Sequence, residues 1–129
     1  MEESDNMNRL ESKEDYLERI LMLTEKQGSV RAIDIANDMN YSKPSVSIAL
    51  KKLKNEGYII VDINGNISLT KDGYVIASEI YERHKIISSA LIMIGVDEAI
   101  AKEDACRIEH DISNETFIQI KKFLSRQKN

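Results

Sequence analysis

The feature of the sequence that most constrains the fold is a change in hydrophobic period just after Gly57. Before this glycine, apolar residues recur at three- and four-residue steps, as on one face of an α-helix, and after it they alternate with polar residues, as on one face of a β-strand. The alternating segments 58–63 and 67–70 flank Asn64-Gly65-Asn66, and an Asn-Gly pair in this setting is the strongest short-range signal of a β-hairpin. The chain is therefore predicted to place a hairpin directly after a helix.

Three helical segments precede the hairpin. The first covers 13–27, the second covers 31–39, and the third begins at Ser42 and stops at Glu56. Ser42 is a favourable N-cap, and Pro44 stands near the first helical position, where its missing N–H is harmless. Two short helices joined by a tight turn, the second with a basic and small-polar outer face, indicate a helix-turn-helix. A hairpin placed after its second helix is the wing of a winged helix.

Helical periodicity returns after the hairpin, in a long helix closed by Gly95, a helix over 97–112 and a last helix capped by Ser113. A winged helix needs only its own core, so these helices have apolar faces to bury elsewhere, and a symmetric homodimer interface is the natural use.

The predicted fold is mainly α, with an N-terminal winged helix-turn-helix over 13–73 followed by an all-helical dimerisation domain over 74–129. The acidic segment 1–12 has no apolar period and is predicted to be a flexible arm. The chain has no apolar run near the roughly 20 residues of a membrane span, and its start lacks the features of a signal peptide. A cytoplasmic protein without a membrane partner is expected.

The formal net charge of −4 argues at first sight against a nucleic-acid partner, but the charge is unevenly distributed. Acidic residues crowd the first part of the chain, whereas Lys43, Lys51, Lys52 and Lys54 cluster with only Glu56 against them, and the local field matters more than the total. Double-stranded operator DNA is the predicted partner. Lysines would attract phosphates and serines would donate to phosphates or base edges. The predicted contacts are Ser42, Lys43, Pro44, Ser45, Ser47 and Lys51.

The segment Asp104–Asp111 holds the only cysteine and one of the two histidines of the chain. If the segment is helical, Cys106, Glu109 and His110 stand at i, i+3 and i+4, within about 100° of one face. A thiolate, a carboxylate and an imidazole that converge suit a divalent transition metal. The alternative is a buried cysteine packed as a small apolar group beside an exposed Glu-His pair.

Three further residues of metal-ligand type lie on two other predicted helices. Asp15 and Glu18 are three positions apart on the first helix, where complementing the helix dipole is the better explanation of these two residues taken alone, and His84 lies in the middle of the long helix. Because three helices each offer such groups, a metal site is favoured over separate structural roles. The predicted ligands are Asp15, Glu18, His84, Cys106, Glu109 and His110.

Seven segments together resemble a known family between about Lys13 and Phe123. They are Glu14-Asp15-Tyr16-Leu17-Glu18-Arg19-Ile20, Asp34-Ile35-Ala36, Ser42-Lys43-Pro44-Ser45-Val46-Ser47, Leu69-Thr70-Lys71-Asp72-Gly73, Arg83-His84, Ile94-Gly95-Val96 and Asp104-Ala105-Cys106-Arg107-Ile108-Glu109-His110. The chain resembles the metal-dependent repressors of the diphtheria-toxin-repressor and manganese-transport-regulator family. The resemblance implies a metal-activated transcriptional repressor of metal-uptake genes, a homodimer and not an enzyme. In layout the chain is similar to the shorter members, which lack an SH3-like third domain.

The resemblance also implies metal ligands position by position. Asp15, Glu18 and His84 match ligands of the manganese branch, and Glu109 and His110 match ligands of both branches. A binuclear arrangement is expected if Glu109 bridges.

Cys106 is where the two branches of the family differ. Manganese-type members carry a carboxylate there, whereas iron-type members carry the cysteine but have methionine in place of Asp15, so this chain is a hybrid. A thiolate favours softer ions such as Fe, Co or Zn, and the carboxylates suit Mn. The expected co-repressor is therefore Fe(II) or Mn(II), with Co(II) or Zn(II) as substitutes in vitro. Cys106 is alternatively a bystander or a redox-sensitive ligand. Ser88 and Lys102 stand where the iron branch has its ancillary ligands, which implies that the ancillary site is missing.

Two other functions are compatible with parts of this pattern. A winged-helix regulator that responds to a small organic ligand or a partner protein would bind DNA with or without a chelator. A small metallohydrolase would need an open coordination position, an activating base and a substrate cleft. Nothing beyond the ligand cluster indicates the second alternative.

Overall fold

The computed structural model describes the backbone of residues 2–127 and the side chains of residues 13–127. Over this part the chain forms six helices and two strands: α1 (Glu2–Gln27), α2 (Ala32–Met39), α3 (Lys43–Asn55), β1 (Ile59–Val61), β2 (Ile67–Leu69), α4 (Lys71–Met93), α5 (Glu98–Ile108) and α6 (Asn114–Gln127). The predicted fold class, a winged helix-turn-helix followed by an all-helical region, is confirmed. The chain divides into two compact units between Ser78 and Glu79, inside α4. The domain bounds given above stay predictions.

Helices α1 to α3 of the first unit form around a shared apolar core. Leu17 and Ile20 of α1, Ile35 of α2 and Val46 of α3 are almost completely buried. Each such aliphatic side chain stabilises the fold by about 1.5–3 kcal/mol relative to exposure in water. The predicted helix-turn-helix follows from this core and from local caps.

The caps of α2 and α3 set the turn between them. Asn40 ends α2 in the left-handed region at φ 58°, a conformation that asparagine tolerates better than most residues. Ser42 is the N-cap of α3, as predicted, because its Oγ accepts a hydrogen bond from the backbone N–H of Ser45 at 3.3 Å.

The predicted hairpin is present, but its strands are shorter than the alternating segments. Strands β1 and β2 are antiparallel, with Ile60 opposite Ser68. The strands end at 61 and 67 because Asp62 caps the turn, where its Oδ1 accepts hydrogen bonds from the backbone N–H groups of Asn64 and Asn66 at 2.8 and 2.9 Å. Gly65 supplies the positive φ, 87°, that this turn requires.

Thr70 joins the wing to the start of α4. Its backbone N–H donates to the Tyr58 carbonyl at 3.0 Å, and its hydroxyl donates to the Gly57 carbonyl at 2.7 Å. The same hydroxyl accepts from the backbone N–H of Gly73 at 3.1 Å. The backbone of α4 passes so close to the wing here that a Cβ on Gly73 would lie 2.1 Å from the Tyr58 oxygen. Residue 73 must therefore be small.

The second unit contains α5, α6 and most of α4. Its core includes Ile87 on α4, Ala101 and Ala105 on α5, and Phe117 and Leu124 on α6, all of them buried. Small alanines on α5 let the neighbouring helices approach closely, so the unit packs tightly around short side chains.

Helix α5 ends earlier than predicted. The sequence predicted a helix over 97–112, whereas α5 stops at Ile108 and Glu109 is its C-cap. The backbone N–H groups of Asp111 and Ile112 both donate hydrogen bonds to the Ile108 carbonyl, at 2.9 and 3.2 Å. This turn lets Ser113 begin α6, because its Oγ accepts from the backbone N–H of Thr116 at 3.1 Å.

Helix α1 begins earlier than predicted. The backbone is helical from Glu2, where the sequence predicted an arm over 1–12. Once residues 13–27 have formed a helix, each further residue that becomes ordered adds one backbone hydrogen bond, so extension is easier than nucleation. The side chains of 1–12 lie outside the described ones, so the flexible character of the arm stays a prediction.

Candidate metal centre and nucleic-acid interface

His84, Cys106 and Glu109 come together in the second unit. Nδ1 of His84 lies 3.0 Å from Oε2 of Glu109 and 3.7 Å from Sγ of Cys106. One donor atom from each of the three side chains lies within 4.8 Å of the other two. His84 is 7% exposed and Glu109 is 0% exposed, while Cys106 is half-buried. His84 thus comes together with two residues that lie 22 and 25 positions further along the chain.

His110 extends this group through the second oxygen of Glu109. Nε2 of His110 lies 3.6 Å from Oε1 of Glu109, whereas His84 contacts Oε2. The carboxylate of Glu109 therefore stands between two imidazoles. Glu109 is the C-cap of α5, with helical dihedral angles and its N–H on the Ala105 carbonyl, so its side chain leaves from the last turn of the helix, and His110 follows in the turn after it.

The three clustered donors fit a divalent transition metal. Ligand atoms about 2.0–2.3 Å from a metal stand roughly 3–4 Å from each other in tetrahedral coordination, which matches the distances from His84 Nδ1. An imidazole, a thiolate and a carboxylate form a donor set of intermediate softness. A completely buried carboxylate such as Glu109 is also costly unless charge or hydrogen bonds compensate it, which a cation would do.

The other two predicted ligands belong to the first unit. Asp15 is half-buried on α1, and Glu18, one turn further along the helix, is only 2% exposed. A glutamate so buried indicates a specific electrostatic role. The participation of both residues in the same metal site as His84 stays a prediction.

Arg83 was not among the residues predicted from the sequence to serve the site. Its Nη1 donates to the backbone carbonyls of Glu109 and Ile112, each at 3.1 Å. The guanidinium carbon also lies 5.3 Å from the centre of the Phe117 ring. Backbone acceptors leave no trace in a sequence pattern, and the only hint was the position of Arg83 directly before His84 in a segment of the family resemblance.

All six predicted DNA-contacting residues lie on the exposed side of α3 and its N-terminal turn. Val46, Leu50 and Leu53 are buried on the opposite side of the helix, which fixes its orientation on the core. The hydroxyl of Ser42 donates to that of Ser45 at 2.8 Å, so these two serines also shape the start of the helix. The exposed residues are Ser42, Lys43, Pro44, Ser45, Ser47 and Lys51.

Comparison with known proteins assigns both parts of the chain. Residues 9–65 match the iron-dependent repressor N-terminal DNA-binding domain, and residues 70–129 match the iron-dependent repressor metal-binding and dimerisation domain. The chain belongs to the iron-dependent repressor family. The family resemblance read from the sequence is thereby confirmed, and because the family consists of transcriptional repressors, the metallohydrolase alternative is set aside.

Individual relatives in the family agree with this assignment. An HTH-type transcriptional regulator of Methanocaldococcus jannaschii is 35% identical over 120 residues, which cover 92% of this chain and 96% of the relative. The transcriptional regulator MntR of Salmonella typhimurium is 37% identical over 109 residues, which cover 84% of this chain and 69% of the relative.

The solved structure of the manganese regulator SloR superposes on this chain with a TM-score of 0.76 and 33% identity, over 88% of this chain. The match covers 53% of the SloR chain, so this chain spans about half the length of that protein. Within the described residues of this chain, no helix combines the length and the apolar character needed to cross a membrane.

Proposed function

We propose that this chain is a metal-activated repressor of metal-uptake genes, with Mn(II) or Fe(II) as the co-repressor. The observation that carries the proposal is the convergence of His84, Cys106 and Glu109 in the region that matches the family's metal-binding domain. Its relatives MntR and SloR are named as regulators, SloR as a manganese regulator.

His84 and Glu109 are the proposed core of the site. The atoms His84 Nδ1 and Glu109 Oε2 are at hydrogen-bond distance, so the two side chains would serve as ligands of one cation. His110, on the other oxygen of Glu109, supports a bridging role for this carboxylate and hence a second ion beside the first. Asp15 and Glu18 are the proposed ligands from α1, so that occupancy would link the DNA-binding helices to the metal-binding domain.

Cys106 is the proposed determinant of metal preference. Its Sγ is 3.7 Å from His84 Nδ1, close enough to share a metal with the imidazole, and a thiolate prefers softer ions than a carboxylate does. Replacing Cys106 by aspartate should shift the metal ranking toward Mn(II), whereas the wild-type thiolate should favour Fe(II) and Co(II). Because a thiol ligand needs a reducing compartment and an operator lies on the chromosome, a cytoplasmic location is inferred.

Dimer formation is proposed to use an apolar groove between α4 and α6. The groove encloses about 470 Å³ and is lined mainly by apolar side chains, among them Leu91, Ile94, Ile120 and Phe123. Ile94 is 74% exposed and Phe123 is 45% exposed, which is unfavourable in water unless a second surface covers them. A two-fold dimer would present two copies of α3 to successive major grooves about 34 Å apart.

The test is an anaerobic DNA-binding titration. Operator duplexes are first selected from a random library on the reduced protein with Mn(II), and affinity is then measured by fluorescence anisotropy with Mn(II), Fe(II), Co(II), Zn(II) or a chelator. We expect at least one metal to tighten binding tenfold or more, about 1.4 kcal/mol, and the chelator to reverse it. The variant His84→Ala/Glu109→Gln should lose this response to metal.

Glu103→Gln provides the matched control, because Glu103 is an exposed glutamate of α5 and the substitution is the same as at Glu109. The control should respond to metal as the wild type does. Metal-dependent binding retained by the double variant would refute the ligand assignment. Equal binding with chelator and with every metal would refute the co-repressor role and favour an organic or protein effector.

A further inference from the structure

Arg83 lies on α4, directly before His84 of the candidate metal centre. One nitrogen of its guanidinium, Nη1, holds two carbonyl oxygens that belong to the two ends of the turn after α5, those of Glu109 and Ile112. Phe117, on the first turns of α6, lies under the guanidinium at 5.3 Å. A single side chain of α4 thus touches the end of α5, the turn and the start of α6.

The contacts of Arg83 suit the electrostatics of a helix end. The last carbonyls of a helix have no partner within it and carry partial negative charge, so a cation there is stabilising. Hydrogen bonds from a charged donor are roughly twice as strong as neutral ones, and the planar guanidinium is always protonated. Arg83 is therefore a reason why α5 can stop at Ile108 and not continue to 112.

Glu109 lies where α5 ends, and its backbone is still helical, with its N–H on the Ala105 carbonyl. The end of α5 therefore sets the place from which the Glu109 side chain leaves. Its carboxylate lies with one oxygen 3.0 Å from His84 and the other 3.6 Å from His110. The backbone of Glu109 is held by Arg83 at its carbonyl while the side chain faces His84, so one residue is fixed at both ends by neighbours in α4.

We propose that Arg83 is a positioning residue of the metal centre, which places Glu109 for metal binding by holding the backbone of the α5–α6 turn. Arg83 does not touch the metal ligands through their donor atoms and acts on them only through the main chain. The inference rests on the proposed function, because it requires that His84 and Glu109 bind metal.

The test is an anaerobic titration of the full chain with Co(II), followed by visible absorption. Wild type, Arg83→Gln, Arg83→Lys and the control Arg107→Gln are compared, where Arg107 is an exposed arginine of α5 close in sequence to the same turn. The urea midpoint of each metal-free protein is measured alongside. Loss of a group that orients a metal ligand typically weakens metal binding about 10–100-fold.

We expect Arg83→Gln to bind Co(II) about 10–100-fold more weakly than wild type and with an altered absorption spectrum. Arg83→Lys should be intermediate, because an ammonium keeps the charge but not the planar donor, and Arg107→Gln should match the wild type. Wild-type affinity and spectrum in a folded Arg83→Gln, with only a lower urea midpoint, would refute the positioning role and leave the proposed function intact.

If Arg83→Gln fails to fold, Arg83→Lys decides. Weaker Co(II) binding by a Lys variant with native far-UV circular dichroism supports the proposal, and wild-type binding by that variant refutes it. A wild-type protein that binds no Co(II), Mn(II) or Fe(II) would refute both the proposed function and this inference.

Discussion

Replacing Gly73 by alanine should separate the wing from α4. An ideal Cβ at this position would lie 2.1 Å from the Tyr58 carbonyl oxygen and 3.0 Å from its carbon, whereas real Cβ atoms essentially never approach within 3.0 Å of another heavy atom. Both groups are backbone, so neither can turn away as a side chain would. The third neighbour, a methyl of Leu69 at 3.4 Å, is in ordinary contact and adds little.

The expected loss of stability can be worked out from these contacts. Overpacking that forces a backbone shift typically costs about 1–3 kcal/mol. Moving the Tyr58 oxygen also weakens the hydrogen bond that it accepts from the Thr70 N–H at 3.0 Å, for about 1 kcal/mol more. Alanine regains about 0.5–1 kcal/mol over glycine in a helix. The net destabilisation is therefore about 1–3.5 kcal/mol.

Urea unfolding monitored by circular dichroism, with hydrogen exchange at the Thr70 amide, measures this effect. The lowered midpoint should be accompanied by faster exchange at Thr70, because that amide loses its acceptor. Lys71→Ala, at an exposed position of the same helical turn, is the control and should change stability by no more than about 0.5 kcal/mol. A Gly73→Ala protein with the wild-type midpoint and wild-type exchange would show that the wing does not depend on this close approach.

Three other perturbations test neighbouring parts of the DNA-binding unit. Ser42→Ala removes the N-cap of α3 and should lower the free energy of unfolding by about 1 kcal/mol, as measured by urea unfolding. The control Ser42→Thr keeps a capping hydroxyl and should retain most of the wild-type stability. Lys43→Ala and Lys51→Ala should each reduce the slope of log affinity against log salt by about one for operator and for unrelated duplexes alike, measured by anisotropy. The pKa of Asp62 is lowered because its carboxylate accepts a hydrogen bond from the backbone of Asn66. Stabilisation of the wing turn by this carboxylate is therefore present above the ordinary pKa of aspartate and is lost as the pH falls through the lowered value, which an NMR titration of the Asn66 amide would follow.

The sequence predicted the fold wherever the decisive interactions are local. The N-cap at Ser42 and the hairpin signal at Asn64-Gly65 act over two to four residues, so a pattern reveals them directly. Strand β1 ended earlier than its apolar alternation because the side chain of Asp62 accepts hydrogen bonds from the backbone of the turn, an interaction that the alternation does not show.

The candidate site could be predicted as a set of residues but not as a geometry. Residue type and family resemblance selected His84, Cys106 and Glu109. The periodicity within each helix does not show that His84 on α4 lies close to the end of α5. The helix expected over 97–112 ends at Ile108 with Glu109 as its C-cap, and the contact that accompanies this end comes from Arg83, 26 residues from Glu109 in the chain. Tertiary contacts to main-chain carbonyls are invisible in a sequence, so both the early end of α5 and the role of Arg83 required the structure.

The position of Glu109 at the end of α5, directly before the turn that leads to α6, bears on how metal could control assembly. Within the second unit, α4 carries His84 and also lines the apolar groove, through Ala90 and Leu91. The turn that carries Glu109 leads within a few residues into α6, which forms the other wall of that groove. If metal binding fixes the turn against α4, it also fixes the direction in which α6 leaves the turn, and thereby the shape of the proposed dimer surface. Binding and dimerisation would then be thermodynamically linked, so that each strengthens the other by the same factor. A ligand set on a rigid helix face, apart from the α6 junction, would have no such route to the groove.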